Sequence, residues 1–206
     1  SDNMDNIFDD EIDGKFSKGY PTGMINRVGG EAQSRSTWEK TVGQVLNETA
    51  KAGLAIDASG KNGNDLTVKV KLGIGAEVLP EGNYFLTVLL VEDEMSGTGT
   101  GWNQANGYNG TAGHAYQGKG NPIVGYVHTN VTRNVLTAAL GDELTADQVA
   151  AGALSEFTFT TSVAGLGEDL DVVAFLSEYT ETLTSGTTSF MYNVQRTDVG
   201  TNQDFD

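Results

Sequence analysis

The chain of 206 residues has no cysteine, only three prolines and only two histidines. Without thiols it can form no disulfide, no iron–sulfur centre and no thiolate zinc site, although this alone leaves the compartment open. Basic residues are scarce: 12 Lys and Arg stand against 28 Asp and Glu, a net charge of −16 that repels phosphate backbones and anionic headgroups and argues against nucleic-acid partners. Long apolar runs are missing too. The longest, "YFLTVLLV" from Tyr84 to Val91, is far shorter than the roughly 20 residues needed to span a bilayer. No charged-then-apolar leader opens the sequence, so any secretory signal is expected to have been removed already.

Enzymatic signatures are equally thin. There is no G-x-S-x-G elbow, no cysteine nucleophile and no H-E-x-x-H, and "GTGTGWNQ" lacks the third glycine of a dinucleotide loop and opens no helix. His128 falls inside a strand pattern and reads as a hydrogen-bonded sheet residue rather than a ligand. Glu92-Asp93-Glu94 and Glu168-Asp169 with Asp171 alternate between strand faces and read as solvated edge charge. The N-x-[ST] triplets at Asn47, Asn109 and Asn130 carry no weight in so threonine-rich a chain. The expectation is a protein that is not an enzyme, with no cofactor.

What the chain does have is 27 glycines, many Thr and Asn, and a strong period-two pattern after residue 51, the balance of a β-rich secreted or surface protein. "GLAIDASGKNGNDLTVKVKLGIG" predicts two strands joined by a tight turn at Asn62-Gly63, with Leu66, Val68, Val70 and Leu72 on one face. "NYFLTVLLVED" is apolar on both faces and predicts a central core strand. Further strands are expected over Gly125–Leu140, Leu154–Val163, Leu170–Thr180 and Ser189–Val199, with a short helix after the capping pair Thr145 and Gln148. About seven strands without a βαβ rhythm predict a mainly β fold, an antiparallel immunoglobulin-like β-sandwich over residues 51–206.

Residues 1–50 read differently. "SDNMDNIFDDEID" holds six carboxylates and no base and reads as an acidic lead-in. Asp9, Glu11 and Asp13 imitate the first positions of an EF-hand loop, a weak calcium pattern that fails where Tyr20 replaces the closing carboxylate. "MINRV" (Met24–Val28) predicts a short strand. Ser36 with Glu39 predicts a capped helix over Thr37–Asn47, with Trp38 anchored in the core.

Between the two halves of the sandwich, residues 96–125 are so rich in Gly and Asn that one long loop is expected. It carries Trp102, Tyr108, His114 and Tyr116, which either pin the loop to the sandwich or form a ligand-binding platform for a glycan or peptide.

"FSKGYPTGMINR" resembles the proline loop of thioredoxin folds, with Pro21 in the cis-proline position and the helix after it similar to the last helix of such a fold. "NYFLTVLLVEDEM" with Gln104, "YVHTNVTRNVL", "GDEL", "LDVVAFLSE" and "YNVQRTDVG" resemble the C-terminal sandwich of the family related to outer membrane protein 28; Tyr126, His128, Asn130 and Arg133 on one strand, preceded by Glu92-Asp93, carry most of the likeness. The resemblance implies a non-enzymatic structural or binding protein of the cell envelope, outer membrane-associated or extracellular. The small N-terminal segment then corresponds to the second half of a thioredoxin fold, and this incomplete half-domain suggests self-association, a partner strand completing the sheet at Met24, Ile25 and Val28. Redox activity would require cysteines upstream of Ser1.

Overall fold

The structure, a computed structural model, describes residues 23–27, 32–178 and 189–205. Pro21, Val28 and the calcium pattern at Asp9, Glu11 and Asp13 lie outside the described residues. Two antiparallel sheets face each other. Strands β1 (Ala52–Asn62), β2 (Asp65–Ile74), β6 (Leu154–Ser162) and β9 (Asn202–Gln203) form the first, in the order β6-β2-β1-β9. Strands β3 (Tyr84–Glu92), β4 (Val131–Val135), β7 (Leu170–Glu178) and β8 (Phe190–Asp198) form the second, in the order β4-β3-β7-β8, with β5 (Asp142–Glu143) pairing the start of β3.

The interior follows from alternation. Leu54 and Ile56 of β1 and Leu66, Val68, Val70 and Leu72 of β2 point inward against Leu86, Val88 and Leu90 of β3 and Val172, Ala174 and Leu176 of β7. Each such Leu, Ile or Val side chain contributes on the order of 1.5–3 kcal/mol by leaving water, set against the entropy of ordering the chain. The β1–β2 hairpin closes at Gly63-Asn64, one residue later than the sequence suggests. Asn62 pairs with Asp65, and Gly63 takes φ +61°, a conformation open to glycine at little cost at the first central position of a two-residue turn.

Among the described residues three bulges break the otherwise regular ladders. Leu90 pairs with Asn134 and Val91 with Thr132, which leaves Arg133 as the extra residue of β4. Leu176 pairs with Asn193 and Ser177 with Met191, so Tyr192 is the extra residue of β8. The third lies between Asp57 and Gly60 of β1. A bulge re-aims its side chain. Tyr192 accordingly turns toward Tyr84, ring centroids 5.7 Å apart, and donates to Glu178 Oε2 at 2.9 Å; burial pushes its hydroxyl pKa far up.

Several sequence expectations are corrected. The strand expected at Met24–Val28 is absent where it is described: Gly23 makes one bridge to Gln33, and Asn26 and Arg27 turn the chain with φ 48° and 53°. Asn26 O accepts from Met191 N at 2.8 Å, and the Arg27 guanidinium lies 5.1 Å from the Phe175 ring centre and donates to Ser177 Oγ, so this stretch caps the outer side of the second sheet instead of offering an open edge. The helix α1 (Trp38–Val45) is shorter than expected and is entered through a 3-10 turn, Arg35–Thr37; the Ser36–Glu39 capping box is not made, because Ser36 Oγ bonds Ser34 Oγ instead. Trp38 is half-buried outside the sandwich core, against Gly23, with its indole N–H on Gln33 O at 3.1 Å. Only Val131–Val135 of the long strand expected at 125–140 is strand, and the Thr145–Gln148 contact forms as a turn without a helix.

Candidate binding surface

β3 ends at Glu92, and the chain leaves the sheet into the long segment that returns at β4. Two rungs hold its base: Met95 and His128 exchange backbone hydrogen bonds at 2.9 and 2.7 Å, and Gln104 and Ile123 at 3.1 and 2.8 Å. Beyond the 3-10 turn Thr100–Trp102 no described residue between the rungs is helix or strand, as expected of one long loop. The loop is nevertheless built. Asn106, 3% exposed, donates from Nδ2 to Tyr116 O and Gly120 O at 2.9 and 2.8 Å and accepts from Tyr108 N at 3.0 Å. Its own N–H donates to Asn121 Oδ1. A side-chain amide offers donors and acceptor together, so one asparagine replaces several missing ladder bonds.

The aromatic residues singled out from the sequence come together. Tyr108 and His114 stack face to face, 3.9 Å between centroids and 8° apart in plane. His114 tilts against Tyr116 at 5.6 Å, Tyr116 meets Tyr126 with hydroxyls 3.3 Å apart, Tyr126 meets His128 edge-on at 5.0 Å, and His128 meets Trp102 at 6.3 Å. Arg35, from the turn before α1, places its guanidinium 5.1 Å from the Tyr108 ring centre, so the row begins at the N-terminal segment and ends at Trp102. His128 belongs to an isolated bridge instead of a strand; its Nε2 lies 3.0 Å from Trp102 O. Trp102 lies so close to Gly97 that a Cβ there would sit 2.3 Å from the ring, which explains a glycine at this place.

Below the rings lies a charged layer that the sequence misrepresents. Glu92 is 7% exposed, pairs with Arg133 and accepts from Gly167 N at 2.8 Å. Arg133 reaches it because it is the bulged residue of β4, and its Nη1 also touches Met95 Sδ at 3.3 Å. Asp93 accepts from Asn130 N and from Arg196 Nη2 at 2.7 Å; Arg196 also pairs with the buried Asp171 and donates to Asn130 Oδ1 at 2.6 Å. The Asn130 amide, and after it Arg196, hold the Asp93 carboxyl below the ordinary carboxylate value, while the bond to Asp171 chiefly raises Arg196. Glu92, Asp93 and Asp171 are thus an ion-pair network, correcting the reading of solvated edge charge, whereas Glu94, Glu168 and Asp169 are exposed as expected. Arg196 was missed, and Asp171 was read as edge charge, because nothing local pairs them. The only signal was their place in the quoted segments "YNVQRTDVG" and "LDVVAFLSE".

Among the described residues no group of three or more His, Cys, Asp or Glu is placed to hold a metal ion. The carboxylates of the layer are engaged by arginines, and what the surface offers to a ligand is ring edges, hydroxyls and amides on a firmly held loop.

Residues 9–203 match the family described as outer membrane protein Omp28, and the chain belongs to that family. The protein is accordingly one of the cell envelope, associated with the outer membrane. Direct comparison with curated proteins gives no match. Among solved structures, HBP35 of Porphyromonas gingivalis superposes with a TM-score of 0.63 at 18% identity, over 93% of this chain and 57% of that one. A domain of the outer membrane lipoprotein Omp28 from the same organism matches at 16% identity with a TM-score of 0.42, over 74% of this chain and 90% of that one. The chain thus spans little more than half the length of HBP35, and the likeness to it concerns the fold. Among the described residues no helix is long and apolar enough to cross a membrane.

Proposed function

We propose that the chain is a non-enzymatic binding module of the cell envelope, and that it binds glycans through the aromatic face of the loop 96–125. One observation carries the reading: a 30-residue segment with no strand and only one 3-10 turn of its own arranges Tyr108, His114, Tyr116 and Trp102, with Tyr126 and His128, in one continuous row on the Asn106 scaffold. Long loops held this firmly in compact domains are commonly functional. Rings with hydroxyl and amide neighbours suit the mixed apolar and polar faces of sugars.

The test is a glycan panel probed with the native protein, followed by the Trp102→Ala and His114→Ala variants. The reading expects a bound glycan whose affinity both variants abolish while the melting temperature of the sandwich stays in place. If the native protein retains no glycan, or both variants bind as well as it does, the reading fails. A peptide bound at the same rings would keep the site and change its ligand class.

A further inference from the structure

Sheet edges are where a β protein is open to another strand, and natural edges are blunted by shortness, bulges, lysine or proline. Three of the four described edges here are blunted. β9 has two residues; β4 has five and a bulge at Arg133; β8 carries a bulge at Tyr192 and is met by Asn26. β6 is not. It runs nine residues in unbroken register with β2, from Gly73↔Leu154 to Asp65↔Ser162, without proline, lysine or bulge, and no described strand pairs its other side.

We infer that β6 is a self-association edge, pairing antiparallel with β6 of a second copy about a two-fold axis at Thr158. The sequence "LSEFTFTTS" is complementary to itself in that register. Phe157 would lie opposite the second copy's Phe159 on the inward face, where both rings are half-buried against the core. Thr158 would lie opposite Thr158, and Glu156 opposite Thr160, so that no like charges meet; aromatic and threonine pairs are favourable cross-strand neighbours. Charge points to the same edge. In a chain of net −16, Lys69 and Lys71 on the outward face of β2 stand opposite Asp57 of β1 and Glu156 of β6, so the surface beside this edge is close to neutral and sets little repulsion against a second copy. The two four-stranded sheets would then continue as one across an isologous interface. This assigns self-association to the sandwich and not to the N-terminal segment.

The absence of cysteine makes the test direct. Sedimentation of the native chain should show a monomer–dimer equilibrium that tightens as salt screens the net charge. Thr158→Lys, which sets two lysines opposite each other at the axis, should weaken it by about tenfold or more at an unchanged melting temperature. Under mild oxidation Thr158→Cys should form a disulfide-linked dimer, whereas Thr160→Cys, opposite Glu156 of the other copy, should not. A native chain that stays monomeric at all attainable concentrations overturns the inference. So does a dimer that Thr158→Lys leaves intact, or equal cross-linking at both cysteine positions. A monomer that binds only a foreign extended peptide along β6 would overturn the second copy as occupant.

Discussion

β2 and β3 contribute to opposite sheets and differ in what lies behind them. β2 alternates strictly: Leu66, Val68, Val70 and Leu72 are fully buried, while Lys69 and Lys71 face solvent. In β3 every residue except Leu89 is buried, because its second face is covered as well, by Val135, Ala139, Leu140 and the close crossing at Gly141. The first sheet therefore rests on one apolar layer, whereas β3 of the second lies between two. A strand's period thus tells how many of its faces are covered, which is a statement about tertiary structure made by local sequence.

The largest effect should come from within the double layer. Leu86→Ala, at a site with no exposure, should cost about 3–4 kcal/mol in denaturant unfolding, through lost transfer energy and the cavity left behind. A cost below 1 kcal/mol would mean that the interior collapses around the gap and the two layers are not close-packed. Next comes the charged layer at the end of β3: Arg133→Ala leaves Glu92 buried with only the Gly167 N–H and should cost about 3 kcal/mol. Thr87 lies on the covered face of β3 with its hydroxyl buried and unpartnered among the described residues, so Thr87→Val should stabilise by about 1 kcal/mol. The same substitution at the half-exposed Thr67 of β2 has no such hydroxyl to relieve.

Acid should separate the regions more gently. Asp93 has a folded-state pKa below its unfolded value near 3.8, so its contribution is complete above that value and is lost as pH falls through the lower, folded one. Stability should therefore decline with acidification in that range. Asp93→Asn should flatten the decline, and an unchanged slope would show that the network does not carry it. The smallest effect belongs to the open face of the first sheet: Lys69→Ala should change stability by less than about 0.5 kcal/mol.

What could be read from the chain follows the same division. β1, β2, β3, β6, β7 and β8 were legible because burial imposes a period on neighbouring residues. The charged layer was not, since Glu92 meets an arginine 41 positions away and Asp93 one 103 positions away, and no local pattern records either meeting. A bulge hides in the same way: "VTRNV" alternates on paper, and only the partner strand decides that Arg133 is the residue left over. At residues 125–130 the strand reading failed because Gly125 and Asn130 turn at φ 68° and 55° and His128 pairs with Met95. The rings of the loop were legible as residue types, and their contiguity was not, because it depends on Asn106 drawing Tyr116 O and Gly120 O together.

The placement of the two tryptophans makes the molecule optically divided. Trp38 stands on the N-terminal segment and Trp102 in the loop, and the sandwich interior holds neither. Intrinsic fluorescence therefore reports the two attachments of the sandwich separately, one silenced by Trp38→Phe and the other by Trp102→Phe, while the sheets between them emit through neither indole and are followed by circular dichroism.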